Sequence, residues 1–228
     1  AANTLTTVAG IPFYTGDSGS IYTHDVSGTD DTATANTAFG ITAMDAITTG
    51  DNNTAVGNSA LGANTTGERL TAVGTSALAT NTTAIRNTAI GYQALTANTT
   101  GAQNTAVGDI SMYNNTTGAD NTAIGGSALG ANTTGSNNTA VGRLSLTTNS
   151  TGDANTAIGK DCLDSNTTGA RNTAIGVDAL QANTTTNDNT AVGYEALTLN
   201  TAANNTAVGK GAMAANTTGA DNVAVGQL

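Results

Sequence analysis

The sequence lacks the side chains that normally build a globular core. Among its 228 residues there is no Trp, there are two Phe, and aromatic residues make up only 3% of the chain. One Pro and one Cys are present, so no disulfide within the chain can stabilise a small core. A bulky core is therefore excluded, and the interior has to be thin.

Positive charge is scarce as well. Six Lys and Arg stand against 16 Asp and Glu, which gives a formal net charge of −10. Binding to phosphates needs clustered basic residues, and the few present are scattered, so nucleic acid is not an expected partner. Charged residues total only 10%, unlike a charge-rich disordered chain. No apolar run approaches the ~20 residues of a membrane helix, so we expect no membrane span.

What the chain has in abundance is a repeat of 17 residues. A Val, Ile or Phe followed by Gly recurs from Phe39 to Val225, and one interval, before Val208, is shortened to 16 residues. The unit reads Asn-Thr-Ala-(Val/Ile)-Gly-x-x-Ala-(Leu/Met)-x-x-Asn-Thr-Thr-Gly-x-x, and its positions are numbered 1 to 17 from the first Asn. A fixed period of this kind predicts a solenoid whose coils bury themselves against their neighbours.

The repeat unit predicts β-structure. Helical repeats need roughly 30 residues or more, whereas a short unit interrupted by Gly suits strands joined by turns. Thr54-Ala55-Val56 predicts one strand, and the segment around Ala60-Leu61 predicts a second. We therefore predict an all-β fold, a parallel β-solenoid in the form of a two-sided β-roll. It has about twelve coils over residues 36–228 and a non-repeat N-terminal arm over residues 1–35.

The strand pattern leaves one apolar surface in excess. A lone roll needs only an apolar inner face, yet Ala alternates with Val in the first strand, and Ala is paired with Leu in the second. Either Ala lines the interior with Val, Ile and Leu outside, or the reverse. In both cases a partner chain that covers the outer side chains gains about 1.5–3 kcal/mol for each one buried. The pattern predicts self-association, and a homotrimer is the first expectation.

Two glycines and two asparagines recur in the unit. The glycine at position 15 is replaced by Ala84 and by Thr186, so we expect a looser, outward turn there. Asn at positions 1 and 12 predicts ladders of side-chain amides at ~4.8 Å steps. The glycine at position 5 never varies within the chain, which predicts a corner with positive φ or close approach of stacked backbones. These structural glycines include Gly57, Gly74, Gly91, Gly108, Gly125, Gly142, Gly159, Gly176 and Gly193.

The same asparagines create sequons. Many Asn-Thr-Thr triplets match the acceptor sequence for N-glycosylation, but a repeat that needs an Asn-Thr corner generates the triplet automatically. We therefore interpret these triplets as structural.

The two ends of the chain depart from the repeat. The arm is rich in the aromatic residues that the coils lack, which predicts a cap or a docking arm, and its candidate assembly residues are Pro12, Phe13, Tyr14 and Tyr22. The last coil has no polar capping unit, and its candidate residues are Val223, Val225 and Leu228. Together they predict head-to-tail strand addition between subunits. The start Ala1-Ala2-Asn3 favours export, although trimming or proteolytic release would look the same.

Titratable residues show no catalytic pattern. His24 is the only histidine, and beside Asp25 it has no nucleophile partner in the sequence. Cys162 stands where other coils have Ala, which predicts a small buried side chain. We expect neither an enzyme nor a cofactor. The one candidate for Ca²⁺ is an acidic group in the arm whose spacing differs from an EF-hand: Asp17, Asp25, Asp30 and Asp31.

The unit Asn-Thr-Ala-(Val/Ile)-Gly-x-x-Ala-Leu, over residues 36–228, resembles repeats of bacteriophage tail-fibre proteins. It is also similar in style to the Asn-Ser-Val-Ala-Ile-Gly β-roll heads of trimeric autotransporter adhesins, whose unit is shorter. The resemblance implies a trimeric, left-handed roll used for surface attachment.

These observations predict a structural subunit of an extracellular, cell-surface or virion-surface fibre that associates with itself laterally, end to end, or both. The alternative is an adhesin or receptor-binding fibre that contacts host glycans through turn residues such as Tyr92, Tyr113 and Tyr194. A third hypothesis is ice binding by the row that starts at Thr54 and Thr71, although Thr alternates there with Val and forms no paired Thr rows.

Overall fold

The computed structural model describes residues 6–8, 11–15, 21–22 and 32–227, and most of them form one stack of parallel strands. In chain order the strands are β1 (Thr6–Val8), β2 (Ile11–Thr15), β3 (Ile21–Tyr22), β4 (Thr37–Phe39), β5 (Thr54–Val56), β6 (Thr71–Val73), β7 (Thr88–Ile90), β8 (Thr105–Val107), β9 (Thr122–Ile124), β10 (Thr139–Val141), β11 (Thr156–Ile158), β12 (Thr173–Ile175), β13 (Thr190–Val192), β14 (Thr206–Val208) and β15 (Val223–Val225). The described residues contain no helix. The predicted parallel β-solenoid is confirmed.

Strand pairing follows chain order. β1–β2 and β2–β3 are antiparallel, whereas β3–β4 and every later pair are parallel. Equal positions pair with one another, as in Ala140 with Ala157 and Val141 with Ile158. The short coil keeps this register, because Thr190 still pairs with Thr206. The missing residue is therefore absorbed by a turn and not by the strand.

Each strand of a coil has a small inner side and a larger outer side. Ala123 of β9 is fully buried, whereas Ile124 next to it remains 42% exposed, as the alternation of side chains along a strand requires. Leu129, at position 9 of the same coil, is fully buried. Neither predicted arrangement is right, because Ala at position 3 and Leu at position 9 line the interior together, whereas Val or Ile at position 4 lies outside.

The predicted second strand around Ala60-Leu61 is wrong, since this segment is a turn. Ala60 and Leu61 are neighbours and both are fully buried, which the alternation of a strand does not allow. Leu61 adopts a φ of 52°, which lets its side chain enter the interior beside that of Ala60. A left-handed residue costs roughly 1–2 kcal/mol, and burial of a Leu side chain, worth about 1.5–3 kcal/mol, offsets it. Each coil therefore has one strand.

The two glycines of the unit are required for different reasons. Gly125, at position 5, has a φ of 134°, and a Cβ there would lie 2.6 Å from the carbonyl oxygen of Gly142 in the next coil. At position 15, a Cβ on Gly135 would lie 2.5 Å from the carbonyl oxygen of Gly152 and 2.5 Å from Oδ1 of Asn132. The looser, outward turn expected at position 15 is wrong, because this glycine is buried from Gly50 to Gly169. It is buried because its carbonyl serves the asparagine ladders.

Both asparagine rows form the predicted ladders. At position 12, Nδ2 of Asn132 donates to Oδ1 of Asn115 at 2.7 Å and to the carbonyl of Gly135 at 2.9 Å. At position 1, Nδ2 of Asn121 donates to the same Gly135 carbonyl at 2.8 Å, while its Oδ1 accepts from the backbone N–H of Asn138 at 2.9 Å. An unpaired buried polar group costs about 1–3 kcal/mol, so these shared bonds hold the interior together.

The ladder at position 12 also contains the Asn of the sequons. From Asn64 to Asn183 these side chains are fully buried. The folded stack therefore hides them from a glycosylating enzyme, in agreement with their structural interpretation.

The ends of the stack differ in how they are covered. Tyr22 of β3 pairs with Ala38 of β4, and its side chain is fully buried in the core of its own chain. At the other end of the described stack, Val223 and Val225 are 76% and 78% exposed. Their exposed fractions are larger than those of the equivalent residues in inner coils, because no described coil packs beside them.

Candidate functional site

Several residues singled out in the sequence lie outside the described residues, and these are Asp17, His24, Asp25, Asp30, Asp31 and Leu228. The structure describes the backbone of Pro12, Phe13 and Tyr14, which form part of β2. Within the described part of the chain, no group of three or more His, Cys, Asp or Glu is arranged to hold a metal ion.

A regular surface that runs along the stack is the outer face of the sheet, named here the Thr–Val face. It consists of the side chains at positions 2 and 4 of β4 to β15. Position 2 is Thr in all of these strands except β15, and position 4 is Val or Ile in all except β4, which has Phe39. No charged side chain stands at either position. Ile90, Ile124 and Val208 keep 40%, 42% and 37% of their surface exposed on the isolated chain.

The geometry of this face follows from its residue types. Thr, Val and Ile are branched at Cβ and hold one or two χ1 rotamers, so the rows are stiff. The register aligns hydroxyls with hydroxyls and hydrocarbon with hydrocarbon at ~4.8 Å steps. A continuous apolar row of this length is unusual on a soluble monomer and indicates an interaction surface. The Thr row lies beside a Val/Ile row and not beside a second Thr row. This arrangement does not test ice binding, which stays a prediction.

Polar residues flank the face at position 17. The Arg171 guanidinium donates two hydrogen bonds to the Asp188 carboxylate, at 2.7 and 2.8 Å, and these bonds hold the pKa of Asp188 below its usual value. Gln103 and Asp120 form a similar contact between neighbouring coils at 2.7 Å. Such exposed pairs stabilise a fold only weakly. They give the apolar row a polar rim, as protein interfaces commonly have.

The thiol of Cys162 is unreactive at neutral pH. Its side chain is fully buried, and Sγ donates to the carbonyl of Gly159 at 3.1 Å. Burial raises the pKa of the thiol to about 11, so it stays protonated and unreactive. The expectation of a small buried side chain is confirmed.

The three tyrosines of the adhesin hypothesis do not form one site. Tyr92, Tyr113 and Tyr194 are 53%, 37% and 46% exposed and lie at positions 6, 10 and 6 of different coils. Tyr194 has the amine of Lys210 at 6.0 Å from its ring centroid. Tyr113 lines a concave surface together with Ile110 and Leu144. Sequence reasoning missed this surface, although a coil with small residues between two coils with large ones was a visible signal.

Comparison of the chain with family models, with curated proteins and with solved structures finds no match. Over the residues that the structure describes, no helix has the length and apolarity to cross a membrane. The fold defines the class of the protein, a parallel β-solenoid built from a 17-residue repeat. Its candidate functional site is the Thr–Val face.

Proposed function

We propose that the protein is a structural subunit of an extracellular fibre, in which copies of the chain pack side by side through their Thr–Val faces. One observation carries the proposal. The position-4 side chains form an uninterrupted apolar row along the stack, and those of Val56 and Ile158 keep 37% and 39% exposure when the chain is alone. A second copy of the chain has a row with the same spacing, so its side chains can cover this row along its whole length.

The energetics favour long rods over single contacts. Covering the exposed part of one Val or Ile contributes roughly 1 kcal/mol. Association itself costs about 4–15 kcal/mol in lost translational and rotational freedom. The gain grows with the number of coils that join, whereas this cost does not. A solenoid with a row along its whole length therefore associates where a single coil would not.

Charge explains why the face should be the contact. The net charge of −10 makes copies of the chain repel one another over most of their surfaces. Positions 2 and 4 carry no charge, so repulsion is weakest where these faces meet. Added salt screens the remaining repulsion, and we expect it to strengthen association.

A threefold bundle, which the family resemblance implies, would bury three such faces around one axis. Continued end-to-end stacking would extend the bundle into a filament. That stacking stays a prediction, because it depends on Leu228 and on the side chains of Pro12, Phe13 and Tyr14, which the structure does not describe.

The test compares two variants that carry the same added charge. Ile124→Lys with Ile158→Lys places two lysines on the Thr–Val face, and Thr134→Lys with Thr168→Lys places two on exposed turn positions of the same coils. Light scattering after size-exclusion chromatography should find assemblies for the wild type and the turn variant, and single chains for the face variant. Circular dichroism should find the same β-structure in all three.

A wild-type protein that stays a single chain at high concentration and high salt would contradict the proposal. Equal assembly of the face variant and the turn variant would contradict it too.

A further inference from the structure

A notch of about 550 Å³ opens on the turn side of the solenoid, the surface formed by positions 6 to 11. Its middle is the coil of residues 121–137, where Ser127, Gly130 and Ala131 hold positions 7, 10 and 11. Its walls are larger side chains from the two coils before it and the one coil after it. The wall residues are Gln93, Ile110, Tyr113, Asn114, Leu144, Thr147 and Thr148. Since the lining uses none of positions 2 and 4, the notch is separate from the Thr–Val face.

The repeat explains why the notch forms. Equal positions of successive coils stack at ~4.8 Å, so a coil with small side chains between two coils with large ones leaves a gap one coil wide. The coil of residues 53–69 provides a natural comparison. It has the same small residues, Ser59, Gly62 and Ala63, at the same positions. On its C-terminal side stand Ser76 and Ala79, where the notch has Leu144 and Thr147.

The lining is neutral and has two chemical parts. Ile110, Leu144 and the ring of Tyr113, which is 37% exposed, offer hydrocarbon and aromatic surface. Gln93 and Asn114 offer side-chain amides, which both donate and accept hydrogen bonds. The Thr147 hydroxyl donates to the carbonyl of Ser127 at 3.0 Å and so fixes one wall. None of the lining residues is charged.

This chemistry selects the class of ligand. A pocket of a few hundred cubic ångströms with an apolar wall and a few neutral polar groups suits a small amphipathic molecule. A sugar ring has a face of C–H groups that packs on an aromatic ring and hydroxyls that bond to amides. Acidic sugars are disfavoured, because the chain carries a net charge of −10 and the notch has no cation. We infer that this notch is a binding site for a neutral saccharide residue, which goes beyond the proposed fibre function.

The first test fills the notch. Gly130→Thr introduces a Thr at position 10, where other coils already have Thr96, Thr147 and Thr198. Gly62→Thr is the matched control, because a Cβ at Gly130 and at Gly62 meets the nearest carbonyl oxygen at 3.2 and 3.3 Å. Neither glycine has a positive φ, and the Cβ contact is equally close at both, so the two changes require the same small backbone adjustment.

The probes are the methyl glycosides of glucose, galactose, mannose and N-acetylglucosamine, followed by saturation-transfer NMR and titration. We expect at least one to bind the wild type with a Kd of about 1 mM. Gly130→Thr should weaken this binding at least tenfold, and Gly62→Thr should leave it unchanged. Binding that is equal in all three proteins, or absent from the wild type, would overturn the inference.

A second pair of variants tests the aromatic wall. Tyr113→Ala removes the ring from the notch, and Ala occupies position 10 elsewhere at Ala79. Tyr92→Ala removes an exposed ring that does not line the notch. We expect about tenfold weaker glycoside binding for Tyr113→Ala and no change for Tyr92→Ala. If the neutral apolar dye N-phenyl-1-naphthylamine binds the notch and no glycoside does, the saccharide assignment is wrong.

Discussion

The inner and outer sides of the same short strand follow opposite size rules. Inside, position 3 of every described coil is Ala, whereas outside, position 4 is almost always Val or Ile. Position 8, also inside, is Ala, Ser or Cys, as Ser111, Ser145 and Cys162 illustrate. The interior is narrow because one Leu or Met per coil and two asparagine ladders already fill it.

This difference separates two tasks. Residues of the inner side decide whether the coil closes, because they must fit a fixed space and pair every buried amide. Residues of the outer side leave the coil intact and decide what it associates with. Substitutions on the two sides should therefore have unequal effects on stability.

The largest expected effect comes from enlarging the inner side. Ala123→Ile adds three carbons to a fully buried position, and overpacking should lower the free energy of unfolding by about 3 kcal/mol. Thr122→Ile, on the outer side of the same strand, is the control and should change it little. Guanidinium unfolding followed by circular dichroism measures both, and equal midpoints would contradict the size rule.

The second effect comes from the ladders. Asn132→Ala removes the donor to the buried Oδ1 of Asn115 and one of the two acceptors of Nδ2 of Asn149, which keeps its bond to the Gly152 carbonyl. Unsatisfied buried groups should lower stability by about 2 kcal/mol. Asn114→Ala, at an exposed position where Ala131 stands in the next coil, should be close to neutral. A loss that is equal for the two variants would show that the ladder does not hold the interior together.

A smaller effect should appear at high pH through Cys162. Burial raises the pKa of the thiol from 9.0 to about 11, so the folded state favours the protonated form. The stability that this group contributes is full below pH 9.0 and is lost as the pH rises towards 11. Cys162→Ala should remove that part of the pH dependence, so the difference in unfolding free energy between the two proteins should vary above pH 9.0. A constant difference would show that the thiol is not shielded.

The smallest effect is expected at the exposed rim. Arg171→Ala breaks the two hydrogen bonds to Asp188, but both side chains lie in solvent and water replaces the contact. The melting temperature should stay within error of the wild type, with Arg171→Lys as the control. A shift as large as that of Asn132→Ala would place this pair among the residues that hold the stack together.

Part of the fold was predictable because the repeat aligns identical chemistry. Once Asn132 and Asn115 are placed one coil apart, their amides have to meet, and the ladders follow from the period alone. The same reasoning applies to Gly125, since stacked corners bring its backbone against that of Gly142. Cys162 was predictable because it replaces an Ala at a fixed position.

The sequence by itself determined the period, the parallel stack, the ladders and the need for glycine at position 5, because each depends on spacing along the chain. Only the tertiary structure decided that Ala and Leu face inward while Val and Ile face outward. That choice depends on the left-handed backbone at residues such as Leu61 and on the width left between the ladders. The sequence carried a signal for the notch beside Tyr113 in the small residues Gly130 and Ala131, but only the structure decided that these positions lie on the surface and leave a gap there.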